Sequence, residues 1–438
     1  MKKMTTRNEY EACLAEMFSL RRFGIKLGLG TIRRLLKGLG NPQKRFSAVH
    51  IAGTNGKGSI ASGIASILTA AEYRVGLYTS PHLVSFNERI KINGSPISNR
   101  RVVAAYKAVQ AVYHGKREPT FFEFATAMAL FEFAEQRVDW GIIETGMGGR
   151  LDATNIIRPA ICVISNISLE HKFYLGNTIT EIAAEKGGII KKHTPVITGV
   201  RGKQAIDTLE AIAKNNSAPL FRLGKDFRVR RKPTGGFDYF GLDTHWKNLS
   251  TSLLGPHQVD NAAISLAVCE VLKRQGAIIP EAPLRKGLGA IQWPGRLEIV
   301  NDAPKIILDG AHNLMAARNL ARYLAAEMSE TPITLVLGIL DDKPYRAMLQ
   351  SLVPLCRRLI VTRPVIDRAL PPEQLFETAK SLTENIAMAP DVDTAVRTAL
   401  SSAAPTEVIC IAGSLYVVGE AKETLAHMGI KGLADVEK

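Results

Sequence analysis

With 438 residues, 46% apolar and 22% charged, the chain has the composition of a soluble globular protein of two or three domains. No apolar run approaches the roughly 18 residues of a membrane span, so none is expected. The formal charge of +15 points to an anionic partner or simply to a basic surface. Its basic residues fall in short groups such as Arg33-Arg34 and Arg228-Val229-Arg230-Arg231-Lys232, with no nucleic-acid module signature, so a polyanionic small substrate is favoured over nucleic acid. Cys13, Cys162, Cys269, Cys356 and Cys410 are scattered, odd in number and free of C-x-x-C spacing; reduced thiols in a cytoplasm, without a zinc site, are expected. The basic start, residues 1–10, is not followed by a signal-peptide apolar core, which also favours the cytoplasm.

Residues 11–40 read as helix, loop, helix, stopped by Leu39-Gly40-Asn41-Pro42. An apolar run over 46–52 predicts the first strand. It breaks into Gly53-Thr54-Asn55-Gly56-Lys57-Gly58-Ser59, and a helical pattern follows over 59–70. Strand, glycine turn and helix in that order make a phosphate cradle: curled backbone N–H groups, the positive end of a helix, one lysine and a hydroxyl. The common loop reads G-x-x-x-x-G-K-[ST]; here the run to Gly56 is shorter and Gly58 separates Lys57 from Ser59. Without the strand–helix context the same residues would be a glycine-rich turn with a surface lysine.

A second strand over 74–79 ends at Ser80-Pro81-His82-Leu83. Helices are predicted over about 100–113 and 121–136, then strands over 139–144 and 160–166. This alternation, continuing to about 200, argues a mostly parallel, doubly wound sheet. Short alternating runs over 219–250 suggest antiparallel strands at one edge, and a helix is expected over about 259–274. Trp293-Pro294-Gly295-Arg296 marks a domain junction. Strands over 305–308, 333–337, 359–362 and 408–412 then announce a second, smaller α/β domain.

Ligands of open α/β sheets gather at the C-terminal ends of strands. The glycine loop, Ser80, Glu144 and Asp309-Gly310-Ala311-His312-Asn313 all follow apolar strands. Glu144 and Ser80 offer the oxygen that Mg²⁺ prefers, although a strand-end acid also serves as a loop cap. His171 reads equally as a ligand or a surface histidine. Lys186 lies near a helix C-terminus, where lysine is favoured in any case.

Taken together, the loop at 53–59, Ser80-Pro81-His82-Leu83, Phe86-Asn87-Glu88-Arg89-Ile90, Thr120-Phe121-Phe122-Glu123, the segment 144–155, His171 with Leu175-Gly176, Glu185-Lys186-Gly187-Gly188-Ile189 and Asp309-Gly310-Ala311-His312-Asn313 occur in one order. In that order they resemble the folylpolyglutamate synthase/dihydrofolate synthase family of the Mur ligase superfamily, over residues of about 20 to 420. The resemblance implies an α/β protein: an N-terminal phosphate-loop ATPase domain with a mostly parallel sheet and a pterin-binding surface (1–295), and a smaller C-terminal Rossmann-like glutamate ligase domain (296–438). It implies an ATP-dependent ligase that phosphorylates a pterin-substrate carboxylate and lets glutamate displace the phosphate, with water excluded by closure of a two-domain cleft.

By that resemblance Gly53, Thr54, Asn55, Gly56, Lys57, Gly58 and Ser59 hold ATP, with Asn261, Arg296 and Asp309. Ser80, Glu144 and His171 are Mg²⁺ ligands, one or two ions being expected, and Lys186 matches a carbamylated lysine. Lys57, Glu144, His171, Lys186 and His312 are the catalytic candidates. His312, Ser414 and Tyr416 are candidates for glutamate; Phe121, Phe122, Glu123, Arg150, Asp152, Ala153 and Thr154 face the pterin side. The implied partners are ATP, L-glutamate and a reduced folate or dihydropteroate, with no nucleic acid and no membrane, and a monomer is expected. Three departures stand out: Glu170 where the family commonly has aspartate, Lys172 beside His171, and Gly187 in place of alanine. A peptidoglycan-precursor ligase is the alternative within the superfamily; Ser80-Pro81-His82-Leu83 and Thr120-Phe121-Phe122-Glu123 fit the folate enzymes. A regulatory nucleotide-binding module without ligase chemistry and a nucleic-acid-binding protein are the readings outside it.

Overall fold

The computed structural model describes residues 6–20, 24, 28–114, 117–233 and 235–430; the first five residues of the basic start lie outside them. The chain divides into two compact units. One comprises Met1–His82, Phe86–Ser252 and Gln258–Ile291; the other comprises Leu83–Ser85, Leu253–His257 and Gln292–Lys438.

The first unit is built on strands β1 (Ser47–Ala52), β2 (Val75–Tyr78), β3 (Ile90–Ile92), β4 (Ser95–Pro96), β5 (Trp140–Glu144), β6 (Ile161–Ile164), β7 (Val196–Thr198) and β8 (Leu220–Arg222). They form one sheet in the order β4-β3-β2-β5-β1-β6-β7-β8. All neighbours are parallel except β2–β3 and β3–β4. β1, β5 and β6 are central and almost wholly buried, which is why they read as continuous apolar runs without alternation. β1 pairs with β5 on one side and β6 on the other, so the turns after all three come out side by side at one end of the sheet.

Two helices fix the placement of polar residues. Helix Phe121–Glu135 starts with a capping box, in which the Thr120 hydroxyl accepts from Glu123 N–H and the Glu123 carboxylate accepts from Thr120 N–H. Helix Ile179–Gly187 starts with another, between Thr178 and Glu181, and carries Lys186 at its far end.

The antiparallel edge expected over 219–250 is only partly present. β8 pairs parallel to β7 and completes the main sheet. β9 (Arg228–Arg231), β10 (Phe237–Phe240) and β11 (His245–Leu249) are antiparallel but form a separate three-stranded sheet. Three residues are too few to display a period, and the direction of β8 is set by the crossover helix Lys203–Asn215 before it. Glu270 ties the small sheet to the helix Pro256–Arg274, accepting from Tyr239 Oη at 2.6 Å and from the N–H groups of Leu242, Asp243 and Thr244.

The second unit is a six-stranded sheet of β12 (Glu298–Asp302), β13 (Lys305–Asp309), β14 (Ile333–Leu337), β15 (Arg358–Val361), β16 (Ile386–Met388) and β17 (Val408–Ala412). Its order is β12-β13-β17-β14-β15-β16, with only β12 antiparallel. The four central strands are those expected from the sequence. The two edge strands are half-exposed and lack the buried apolar run that betrays the others. The chain is thus α/β, with a large mostly parallel sheet behind the glycine loop and a smaller Rossmann-like unit after it.

Candidate active site

The glycine loop leaves β1 and enters the helix Lys57–Ala70. Gly56 caps that helix with φ of 82°, a left-handed value that glycine adopts without strain. A side chain there would also collide with Asn261, whose Oδ1 lies 2.6 Å from the position a Cβ would take. Asn261 therefore sits against the loop. The end of β6 holds the loop from the other side. Asn166 accepts from Thr54 N–H through its carbonyl and from Asn55 N–H through Oδ1, both at 2.9 Å, and Ser165 Oγ donates to Asn55 O at 2.6 Å. Ser168 N–H donates to Thr54 Oγ1 at 3.1 Å. Two loop N–H groups are thus spent on shaping the turn. The helix has no side-chain cap hydrogen bond at Gly56, and a helix N-terminus of this kind suits an anion.

Three charged groups crowd behind this turn. Lys57 Nζ donates to Thr54 O at 3.2 Å and lies 3.7 Å from Glu144 Oε1. Glu144, 4% exposed at the end of β5, accepts from Ser80 N–H through Oε2 at 3.2 Å. Lys186, also 4% exposed, donates from Nζ to Gly53 O at 2.8 Å. Burial disfavours its ammonium form, and the positive charge of Lys57 adds to that; Glu170 and Asp152 oppose it. The result is an amine pulled down to about 7. Ser59 is buried on the first turn of the helix.

His171 stands on a different segment, with φ of 52°, just before the short helix Lys172–Leu175. Its Nε2 is 3.9 Å from Glu170 Oε1, so the longer acid of this chain still reaches the ring. Among the described residues no group of three or more His, Cys, Asp or Glu side chains is assembled for a metal. Mg²⁺ does not need one, since it keeps several waters and is bound through one or two carboxylates plus phosphate. Ser80 and the Glu144 carboxylate, adjacent at the mouth of the uncapped helix, are oxygen donors that fit this ion.

The residues expected on the pterin side differ in what holds them. Phe121 joins an aromatic group, 5.6 Å from the Phe18 ring and 6.2 Å from Phe86, with the Arg89 guanidinium 5.1 Å over its face. Phe122 stacks on Tyr78 and closes against Gly146, where a Cβ would meet its ring at 2.5 Å. Glu123 is spent on the capping box and is buried. Arg150 pairs through Nε and Nη2 with Glu185 Oε1, beside Lys186 in sequence. Asp152 and Thr154 are buried, as is Ala153, and bond to each other.

One residue the sequence did not single out completes this group. His50, on β1 and fully buried, bonds through Nε2 to Thr154 Oγ1 at 2.8 Å. Ser165 and Asn166 were also missed; the strand-end rule that selected Glu144 would have found them after β6. His50 carries no such signal, because it lies mid-strand in an apolar run.

In the second unit, Asp309 ends β13 and is buried; its Oδ2 accepts from Leu297 N–H at 2.9 Å. Burial raises its pKa, while Arg296, backbone N–H groups and His312 oppose the rise. Arg296 lies close to Gly310, and its Nη1 donates to Gly295 O at 3.0 Å. His312 Nδ1 donates to Gly310 O at 2.8 Å, which leaves the lone pair of the neutral ring on Nε2. Ser414 follows β17, the parallel neighbour of β13, and caps the helix Leu415–His427 by accepting from Tyr416 N–H at 3.1 Å. Asp309, His312, Ser414 and Tyr416 therefore share one end of the second sheet.

Two family models match the chain: Mur ligase middle domain over residues 51–269, and Mur ligase, glutamate ligase domain, over residues 295–415. The dihydrofolate synthase/folylpolyglutamate synthase of Bacillus subtilis is 37% identical over 417 residues, 92% of this chain and 96% of that one. Among solved structures, folylpolyglutamate synthase of Mycobacterium tuberculosis complexed with ADP superposes with a TM-score of 0.88 at 34% identity, covering 94% of this chain and 98% of that one. Escherichia coli FolC in complex with DHPP and ADP gives 0.88 at 29% identity, covering 95% and 98%.

Proposed function

The chain belongs to the folylpolyglutamate synthase/dihydrofolate synthase family of Mur-type ligases, and from that premise we propose how its residues carry out ATP-dependent addition of L-glutamate to a dihydropteroate or folate carboxylate. The observation that carries the reading is the group of half-buried Lys57 with buried Glu144 and Lys186 behind an uncapped helix N-terminus.

A carboxylate is a poor acyl donor because oxide is a poor leaving group. Transfer of the terminal phosphoryl group of ATP to a carboxylate oxygen gives an acyl phosphate and ADP. The neutral amino nitrogen of glutamate then attacks the acyl carbon, the C–O bond to phosphate breaks, and the nitrogen gives up one proton and keeps the other as the amide N–H. The N–H groups at the start of helix Lys57–Ala70 and the Lys57 ammonium stabilise negative charge on the phosphates. Asn261, packed close to Gly56, is assigned to the nucleotide with the loop. Ser80 and Glu144, with His171, are the residues that would hold Mg²⁺, which supplies neutralisation of phosphate charge when bound.

Lys186 is assigned as the carbamylated lysine. A neutral amine, which an amine titrating at about 7 supplies near neutrality, is the form that attacks CO₂. The product carbamate is an anion, and the neighbouring Lys57 cation that disfavours the ammonium favours it.

On the second unit, His312 Nε2 is assigned to accept a hydrogen bond from the incoming amino group, with Ser414 and Tyr416 beside it on the same sheet end. Arg296 and Asp309 are assigned to the nucleotide. Phe121, Phe122, Arg150 and the loop 152–154 are assigned to the pterin side, Phe121 offering an aromatic face. We assign the protein both reactions, since each adds glutamate to a carboxylate of a pterin substrate through the same phosphorylation and amide-forming steps.

The test is product formation dependent on ATP and glutamate, run in parallel with dihydropteroate, tetrahydrofolate and a peptidoglycan-precursor carboxylate. Product is expected with both pterins and not with the third. Hydrolysis of ATP with no amide product from either pterin would overturn the reading.

A further inference from the structure

The loop between β5 and β6 is tied to both halves of the phosphate site. At its start, Thr145 N–H donates to Ile51 O at 2.9 Å. In its middle, Arg150 N–H donates to Glu185 O at 2.8 Å, and Gly149 and Gly188 allow backbone contact with the helix that carries Lys186. At its end, Asn155 Nδ2 donates to Gly188 O at 3.1 Å. Inside the loop, Asp152 accepts from Met147 N–H at 2.9 Å, Thr154 N–H at 3.0 Å and Thr154 Oγ1 at 2.5 Å.

His50 reaches from the middle of β1 into this array. Burial raises the Asp152 pKa, and the hydrogen bonds from Thr154, Met147 and Gly146 oppose the rise; its Oδ1 accepts the hydrogen bond of the Thr154 hydroxyl. Thr154 Oγ1 then offers a lone pair to His50, so His50 Nε2 carries the proton and Nδ1 the lone pair. That Nδ1 is buried without a hydrogen-bond partner, so the ring is held by the single bond at Nε2. Burial, with the Lys191 charge, pushes the His50 pKa down to about 3 and keeps the ring neutral.

We propose that His50, acting through Thr154 and Asp152, is a positioning residue that registers the β5–β6 loop against the strand feeding the phosphate loop, and so sets the acceptor carboxylate against the phosphoryl group. The chain of donors runs His50 Nε2–H to Thr154 Oγ1–H to the Asp152 carboxylate. Asp152, with both oxygens engaged, organises the loop from within. The proposal rests on the ligase reading above.

The experiment compares full-length wild type with His50→Leu, His50→Gln and Thr154→Val, measuring kcat and KM for the pterin, the Kd for ATP and the melting temperature. Wild-type turnover tests the ligase reading first; absence of amide product there defeats that reading and not the geometry of the loop. Given turnover, His50→Leu and Thr154→Val are each expected to lose on the order of 10- to 100-fold in kcat/KM for the pterin, the scale of a mispositioned reactant, with the Kd for ATP within about twofold. His50→Gln keeps an N–H donor at similar reach and is expected to recover most of the loss. If His50→Leu does not fold, Thr154→Val, which leaves β1 untouched, decides the matter. Equal losses in pterin kinetics and ATP affinity, a His50→Gln variant as poor as His50→Leu, or unchanged pterin kinetics in folded variants would each overturn the proposal.

Discussion

The two units gather polar residues at the C-terminal ends of parallel strands by different physical means. In the first, charge is buried: Glu144 and Lys186 are each 4% exposed, and the amine of Lys186 is shifted to about 7. In the second, apart from Asp309, the groups are set by short-range hydrogen bonds. His312 is fixed by Gly310 O, and Ser414 is an ordinary helix cap. A site that must stabilise charge as it moves between oxygens gains from a low-dielectric setting, because each fixed charge there acts more strongly. A site that receives a preformed zwitterion such as glutamate needs oriented donors and acceptors more than buried charge. The difference is what a division into phosphoryl-transfer and amine-binding roles requires.

The sharpest way to break that comparison is Lys57→Ala. Turnover is expected to fall on the order of 10³-fold, the scale of removing a preorganised charge-stabilising group, with the fold retained by circular dichroism. Activity close to wild type would remove the first unit from phosphoryl transfer. Next comes Lys186→Ala, expected to cost about 100-fold and to be partly restored by added short-chain carboxylates that stand in for the carbamate. The same assignment has a pH signature. The neutral fraction of an amine titrating at about 7 grows as pH rises through that value. At fixed dissolved CO₂, reactivation of CO₂-depleted wild-type enzyme is therefore expected to be stronger above pH 7 than below it. Reactivation that is flat with pH, or absent, would count against a carbamate.

A smaller effect is expected on the second unit. His312→Ala should raise the KM for glutamate about tenfold, the loss of a hydrogen bond to a charged group, while the Kd for ATP stays unchanged. A rise confined to ATP would reverse the roles given to the two units. Smallest is Ser414→Ala. Loss of the cap to Tyr416 N–H should cost about 1 kcal/mol of stability, read from denaturant unfolding.

Much of this arrangement was legible in the residues. The glycine loop after β1, Glu144 at the end of β5 and Asp309 at the end of β13 are found by one rule, that ligands lie beyond the C-terminal ends of strands. β8 was misjudged because three residues carry no period, and the edge strands β12 and β16 were missed because half-exposed strands lack a continuous apolar run. Glu123 shows the opposite limit: its sequence neighbours are those of a pterin-side segment, yet its carboxylate is spent on Thr120.

The sequence by itself determined the alternation of the central strands and helices, the position of the phosphate loop and the family to which the chain belongs, because those depend on local patterns along the chain. Only the tertiary structure decided which groups meet. Lys186 reads from sequence as a lysine near a helix end, a favoured place for any cation. Its amine becomes unusual because the fold buries it against Gly53 O and near Lys57, from separate segments. His50 reads as an odd polar residue in an apolar strand, and gains a role only when Thr154, 104 residues later, arrives opposite it. Desolvation and electrostatic coupling depend on distances in space, and those distances are set by how the strands are ordered in the sheet rather than by their order in the chain.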